Sequence, residues 1–267
     1  MFVSAVFLLV TTSFNVVTSS SPITIPYGTA AGDRVLLQDQ ANALSGKKFY
    51  GYAIPIFGQY HKYFFVWSNG YISVNGTQMI ERSFGLPHTP LYFPIIAPYL
   101  ADVDTRIGGA VYHREIADGS EAMSISQMII DAHPSFTGFM ATSAFCYTWD
   151  DVAFRGASAT GATKRNRFQT IIAYDQGLDD TYIIFSYEKL EWTSAVSNRG
   201  DRDTGLGGFP ALAGVDDGDF HFSLPFSYSN RIRELVTTSN VGNPGRWIYK
   251  ISEYFDPGKG KQYFVVL

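Results

Sequence analysis

Two runs of aromatic and β-branched residues, Tyr63-Phe64-Phe65-Val66-Trp67 and Tyr71-Ile72-Ser73-Val74, stand on either side of Ser68-Asn69-Gly70. An Asn-Gly pair between two such runs is the strongest short-range signal for a β-hairpin, because a tight two-residue turn calls for positive φ at both central positions. Further strands are expected at Ala110–His113, Thr142–Trp149, Phe168–Tyr174, Tyr182–Tyr187, Ala211–Val215, Phe220–Ser223 and Trp247–Ile251. Turn residues separate them at Asp175-Gln176-Gly177, Asp216-Asp217-Gly218-Asp219 and Asn243-Pro244-Gly245. The run Tyr182-Ile183-Ile184-Phe185-Ser186-Tyr187 is apolar at nearly every position and is expected to be buried on both faces.

A helix is predicted in the middle of the chain. Ser120 can cap it, Glu121 suits its positive end, Ala122, Ile125, Ile129 and Ala132 share one face, and Pro134 ends it. A second, shorter helix is expected over Asn230–Thr237. The fold class is therefore mainly β: an antiparallel β-sandwich with one or two short covering helices. The 25 glycines and the 16% aromatic content agree with short strands joined by tight turns.

Charge excludes some partners. The net charge is −4 and only 16% of residues are charged, so the chain has no basic footprint for nucleic acid. Residues 1–20 read as a signal peptide, with an apolar core at Phe2–Val10 and small residues from Val17 to Ser20. The amino terminus is the only positive charge before that apolar run. No later stretch is long and apolar enough for a transmembrane helix. The single cysteine, Cys146, lies in an apolar run and cannot form an internal disulfide. It reads as a buried thiol, with an interchain disulfide or a reactive group as the alternative.

At Phe93-Pro94-Ile95-Ile96-Ala97-Pro98-Tyr99-Leu100-Ala101-Asp102-Val103-Asp104-Thr105 the sequence resembles the signature of the NIDO domain, shared by nidogen, alpha-tectorin and certain membrane mucins. Thr148-Trp149-Asp150-Asp151-Val152 is similar to the family's Thr-Trp-Asp/Glu segment. Ser239-Asn240-Val241-Gly242-Asn243-Pro244-Gly245-Arg246-Trp247 is similar to its closing motif. The resemblance covers about Ile25 to Ser252. It implies a secreted, extracellular location, a β-rich fold and a role in cell–matrix adhesion or matrix assembly. The implied partners are extracellular-matrix or cell-surface proteins, and no cofactor is implied. The chain divides into the signal peptide (1–20), an N-terminal β segment (25–97), a NIDO-like domain (98–253) and a C-terminal tail (254–267). Family members usually carry the domain within longer chains, so this one reads either as a free-standing domain or as a fragment.

Several residues are candidate sites, each with a simpler reading beside it. Asn75-Gly76-Thr77 is a glycosylation sequon or an unmodified turn. Arg199-Gly200-Asp201 spells the integrin-recognition tripeptide, in a polar, glycine-rich stretch expected to be an extended, exposed loop. The simpler reading is a solvated charge cluster. Asp102 with Asp104, and Asp216, Asp217 and Asp219, are calcium candidates, although neither group has the spacing of a calcium loop. No catalytic motif appears, and the five histidines lack metal-ligand spacing. Glu188 with Glu191 could act as a glycosidase pair, and Cys146 with His133 as a dyad, but both have plainer readings as solvated charges and a buried thiol. The leading expectation is a non-catalytic adhesion module. The alternative is a carbohydrate-binding or glycoside-processing β-sandwich.

Overall fold

The computed structural model describes residues 22–74, 76, 79–80, 93–117, 119–218 and 221–253, with 46–50 described as backbone. In chain order the elements are β1 (Arg34–Leu37), β2 (Leu44–Ile56), β3 (Gln59–Trp67), β4 (Tyr71–Ser73), β5 (Ile95–Leu100) and β6 (Ala110–Ile116). Then come α1 (Gly119–Ala132), β7 (Ser143–Val152), β8 (Asn166–Asp175), β9 (Asp180–Leu190), β10 (Leu212–Asp216), β11 (His221–Ser223) and β12 (Arg246–Lys250). The segment Asn230–Val236, expected as a helix, is a run of 3-10 turns.

Two antiparallel sheets form the sandwich. The first has strand order β1-β6-β7-β8-β9-β12 and the second β11-β10-β5-β4-β3-β2. Period-2 alternation sends Phe145, Tyr147 and Trp149 of β7, Phe168 and Ile172 of β8, and Ile183, Phe185 and Tyr187 of β9 inward. They meet Ile54, Ile56, Phe64, Val66, Ile72, Ile96 and Ala213 of the second sheet in one core. Each Val, Ile or Phe among them contributes about 1.5–3 kcal/mol by leaving water.

The double burial expected of β9 has a clear cause. Its inward residues join the inter-sheet core, while Tyr182 and Ile184 face out and pack with Ile125 and Ile129 of α1 and with Phe136 and Phe139. The helix thus covers part of the first sheet's outer face. The outer face of the second sheet carries Trp67 stacked on Tyr71 at 5.5 Å, with Met79, Ile80 and Phe93 packed against it.

Buried polar groups of the aromatics tie the layers together. The Tyr187 hydroxyl donates to the Pro98 carbonyl at 2.7 Å, and the Tyr99 hydroxyl donates to Trp192 O at 2.6 Å. The Trp149 indole N–H donates to Ser68 O at 3.0 Å. Tyr187→Phe would leave the buried Pro98 carbonyl without this donor. It is expected to lower stability by about 1–2 kcal/mol, seen as a lower urea midpoint with an unchanged m-value. An unchanged midpoint would show that the bond contributes nothing.

Two sequence expectations are corrected, and three stretches of strand lack a local signal. Of the Asn69-Gly70 pair only Gly70 takes positive φ, 76°. Trp67 pairs with Tyr71, so the connection is a three-residue loop, the form that closes with glycine in the left-handed region. The division at 97/98 falls inside β5, which pairs with β4 on one side and β10 on the other. Residues on either side of that division share both sheets, so it is not a structural boundary. Finally, β1, the N-terminal end of β2 and β5 carry no local strand signal. In β5, Pro98 lacks an N–H for the ladder and sits opposite the register shift between Leu212 and Gly214, where a bulge accommodates it. The signal peptide and the C-terminal tail lie outside the described residues.

Candidate functional site

Two of the candidates singled out in the sequence, Asp102 and the Arg199–Asp201 tripeptide, come together at one end of the sandwich, in loops that share no local signal. The Ser197 hydroxyl donates to Asp102, Val196 N–H donates to Arg155 O at 3.1 Å, and Arg155 N–H donates to Asp102 O at 2.9 Å. The loop after β5, the loop after β7 and the loop bearing Arg199-Gly200-Asp201 therefore form one hydrogen-bonded cluster. Sequence alone placed Asp102 and Asp201 far apart; β5 and β9, crossing the sandwich, deliver them to the same end.

Within this cluster the tripeptide is folded rather than extended, which corrects the expected loop shape. Arg199 adopts φ 61°, and its guanidinium lies 5.3 Å from the centre of the Phe209 ring. Gly200 is buried and its N–H donates to Ala195 O at 2.9 Å. Asp201 Oδ1 accepts from Asp203 N–H (3.0 Å), Thr204 N–H (2.8 Å) and the Thr204 hydroxyl (2.9 Å). The Thr204 hydroxyl, with the two backbone donors, holds the Asp201 carboxyl below its usual pKa. One carboxylate oxygen is thus committed to closing its own turn.

The acidic candidates are also committed within the fold. Asp104 Oδ1 accepts from Arg106 N–H (3.1 Å) and Nε–H (2.8 Å), and Oδ2 accepts from Nη2–H at 2.6 Å. Burial pushes the Asp104 pKa up, but the Arg106 hydrogen bonds and charge outweigh it, and the carboxyl sits below its usual value. Asp216 Oδ1 accepts from Gly218 N–H at 2.8 Å. Asp217 stands beside it, and Asp219 lies outside the described residues, as do Asn75 and Thr77 of the sequon. Among the described residues no group of three or more His, Cys, Asp or Glu side chains is arranged to hold a metal ion.

The paired glutamates belong to a part-buried ionic ladder on the outer face of the first sheet, where Tyr27 and Thr24 reach it. Arg167 on β8 bridges Asp150 (2.6 Å) on β7 and Glu188 (2.8 Å) on β9, and Glu191 accepts from Arg165 N–H at 2.8 Å. Cys146 is buried beneath α1 at 1% exposure, and burial, partly offset by the Arg114 charge, pushes its thiol up to about 12. It is protonated and inert at neutral pH. His133 is instead half-buried at the end of α1, where its Nδ1 accepts from Ser135 N–H at 3.1 Å.

One arrangement had no signal in the sequence. Residues Ile23–Asp33 run as a strap over the outer face of the first sheet, beside α1. Ile25 N–H donates to Gln169 Oε1 at 3.0 Å, and Gln169 Nε2–H donates back to Ile25 O at 3.2 Å. Arg246 Nη2–H donates to Ile23 O at 2.9 Å, and Asp33 pairs with Arg114 at 2.5 Å.

This fold is that of a mainly-β module whose charged groups are largely spent on its own loops and sheet faces. The sequence model of the Nidogen-like domain (NIDO) matches residues 62–253. Mouse alpha-tectorin is 36% identical over 215 residues, 78% of this chain and 10% of that protein. Mouse nidogen-2 is 29% identical over 250 residues, 86% of this chain and 17% of that protein. Dendrite extension defective protein 1 of Caenorhabditis elegans is 29% identical over 229 residues, 85% of this chain and 18% of that protein. The chain thus spans less than a fifth of the length of these relatives. No solved structure matches it significantly.

The chain belongs to the nidogen-like domain family. Nidogens and alpha-tectorin are secreted extracellular proteins, and the chain is an extracellular module related to them. The match begins at residue 62, well before the expected start at 98. It therefore includes most of β3, with β4 and β5. Among the described residues no helix is long and apolar enough to cross a membrane.

Proposed function

We propose that this chain acts in cell–matrix adhesion, through protein–protein contacts made by the surface of its sandwich. The observation that carries this reading is the family match over residues 62–253, reinforced by alpha-tectorin at 36% identity. The engagement of Glu188 and Glu191 in the ionic ladder favours contact over glycoside chemistry, which needs one carboxyl kept protonated and one free to attack or to activate water.

Cells plated on a surface coated with the secreted chain are expected to attach more than to an albumin-coated surface. Attachment no better than albumin would overturn the adhesion reading. Because Asp201 is tied into its own turn, Asp201→Glu is expected to leave attachment unchanged. Loss of attachment in that variant, with folding retained, would restore the tripeptide as the contact.

Asn75 is proposed to carry an N-linked glycan, supported by the sequon Asn75-Gly76-Thr77 in an extracellular chain. Digestion with an amidase specific for N-glycans is expected to lower the mass of the secreted protein, and Asn75→Gln to abolish that change. Equal mass before and after digestion would remove the site.

A further inference from the structure

At the end of the sandwich opposite the loop cluster, four large apolar side chains are left in solvent around one turn. Tyr52 is 38% exposed, Tyr60 62%, Met140 67% and Leu178 53%. They come from separate parts of the chain. Tyr52 lies where the β2–β3 register breaks between Phe49 and Ile54, and Tyr60 lies just after the β2–β3 turn. Met140 precedes β7, and Leu178 is in the β8–β9 turn.

The turn itself gathers them. Asp175 Oδ2 accepts from Met140 N–H at 2.6 Å and Oδ1 from Leu178 N–H at 3.1 Å. Asp179, held at φ 57°, accepts from the hydroxyls of both Tyr60 and Tyr174, the latter at 3.0 Å. Tyr52 stacks on Tyr174, ring centres 6.2 Å apart and planes 23° from parallel. Two sheets are thus joined at this end by one carboxylate and three phenols.

Tyrosines fixed at the hydroxyl keep their ring faces in place at little entropic cost, the property that makes this residue type prominent at binding hot spots. Tyr, Met and Leu around a rigid turn form the composition of an interface core rather than of ordinary surface. The charge around it has one sign in excess. Asp175, Asp179 and Asp180 lie on the turn, and Glu115 acts on the Tyr52 phenol. Against them stand Lys62, two residues beyond Tyr60, and Lys250, which is held by Asp180 (2.7 Å) and Glu253 (3.2 Å).

We propose that this end of the sandwich is the docking surface for a basic segment of a protein partner, with a guanidinium or ammonium lying on the Tyr60 ring and meeting the Asp179 carboxylate at its edge. The proposal deepens the reading of the chain as a module of protein–protein contacts and rests on it. Charge complementarity selects the occupant: a cation gains from both the ring face and the carboxylate. A second copy of the chain would instead bring the same acidic turn against itself, which is unfavourable.

The test is titration of the isotope-labelled, secreted chain with a short peptide of alternating Arg and Ser, followed by amide chemical shifts. Shifts are expected at residues 52, 60, 140 and 176–180, weakening as salt is raised. Affinity is expected to fall about tenfold in Tyr60→Ala and in Asp179→Asn. Leu178→Ser changes a half-exposed side chain in the β8–β9 turn and keeps the test alive if Tyr60→Ala fails to fold; it too is expected to weaken binding.

Shifts elsewhere, affinities unchanged in all three variants, or equal binding of an alternating Glu-Ser peptide would overturn the proposal. So would shifts at this end with a neutral oligosaccharide in place of the peptide, or concentration-dependent sedimentation lost in Tyr60→Ala. Peptide binding that persists in a chain to which cells do not attach would sink the adhesion reading and leave this surface standing. Attachment without peptide binding would do the reverse.

Discussion

Gly70→Ala is expected to destabilise the protein by about 2–5 kcal/mol, the sum of a left-handed backbone penalty and an overpacking cost. Gly70 has φ 76°, and a Cβ there would stand 2.0 Å from Tyr99 O and 2.8 Å from Tyr99 C. That carbonyl belongs to β5, a central strand, and cannot retreat cheaply. Tyr99 N–H donates to Gly70 O at 3.2 Å and Ala101 N–H donates to Asn69 O at 3.0 Å, so moving the loop breaks its bonds to β5. The Trp149 indole also holds Ser68, which couples the same loop to the first sheet.

Gly32→Ala provides the control. Gly32 also has positive φ, 89°, but a Cβ there meets nothing within 4 Å. Its cost should be the conformational part alone, about 1–2 kcal/mol. Urea midpoints and yields of secreted protein would separate the two. If both variants lost the same stability, the close approach to Tyr99 would not be what demands glycine at position 70.

Arg114→Met is expected to cost about 3–5 kcal/mol, because it strands a buried charge. The Asp33 side chain is 1% exposed and that of Arg114 10%. Arg114 also bonds Glu121 in the first turn of α1, and Asp33 Oδ2 accepts from Gly28 N–H at 2.7 Å. One guanidinium therefore joins the N-terminal strap, β6 and the covering helix.

The double variant Arg114→Met with Asp33→Asn is expected to be less destabilised than Arg114→Met alone, since no buried charge is left without a partner. Hydrogen exchange should show protection lost first at Ile25, whose N–H the strap pins to Gln169. A double variant as unstable as the single one would mean that the stranded Asp33 charge is not the main cost.

Most strands are legible along the chain because local physics writes them there. Alternation and turn residues place β3, β4 and β6 to β12, and apolarity on both faces of Tyr182–Tyr187 announces that something covers β9 on each side. The face of α1 is read from Ala122, Ile125 and Ile129, all of them buried. Local signals fail where a partner supplies the reason. Pro98 argues against a central strand until the bulge opposite β10 removes the need for its N–H.

The hairpin carries the same lesson in finer detail. Asn69-Gly70 determined by itself that the chain turns back between Trp67 and Tyr71. Only the tertiary structure decided the form of that turn, with one positive φ rather than two, because Gly70 must pass beneath the Tyr99 carbonyl. The clustering of Asp102 with the Arg199–Asp201 loop, and of Tyr60 with Asp179, was likewise decided in three dimensions. Residue types and periodicity act over a few neighbours, whereas such meetings depend on which strands lie side by side, a property of the packed sandwich and of no segment within it.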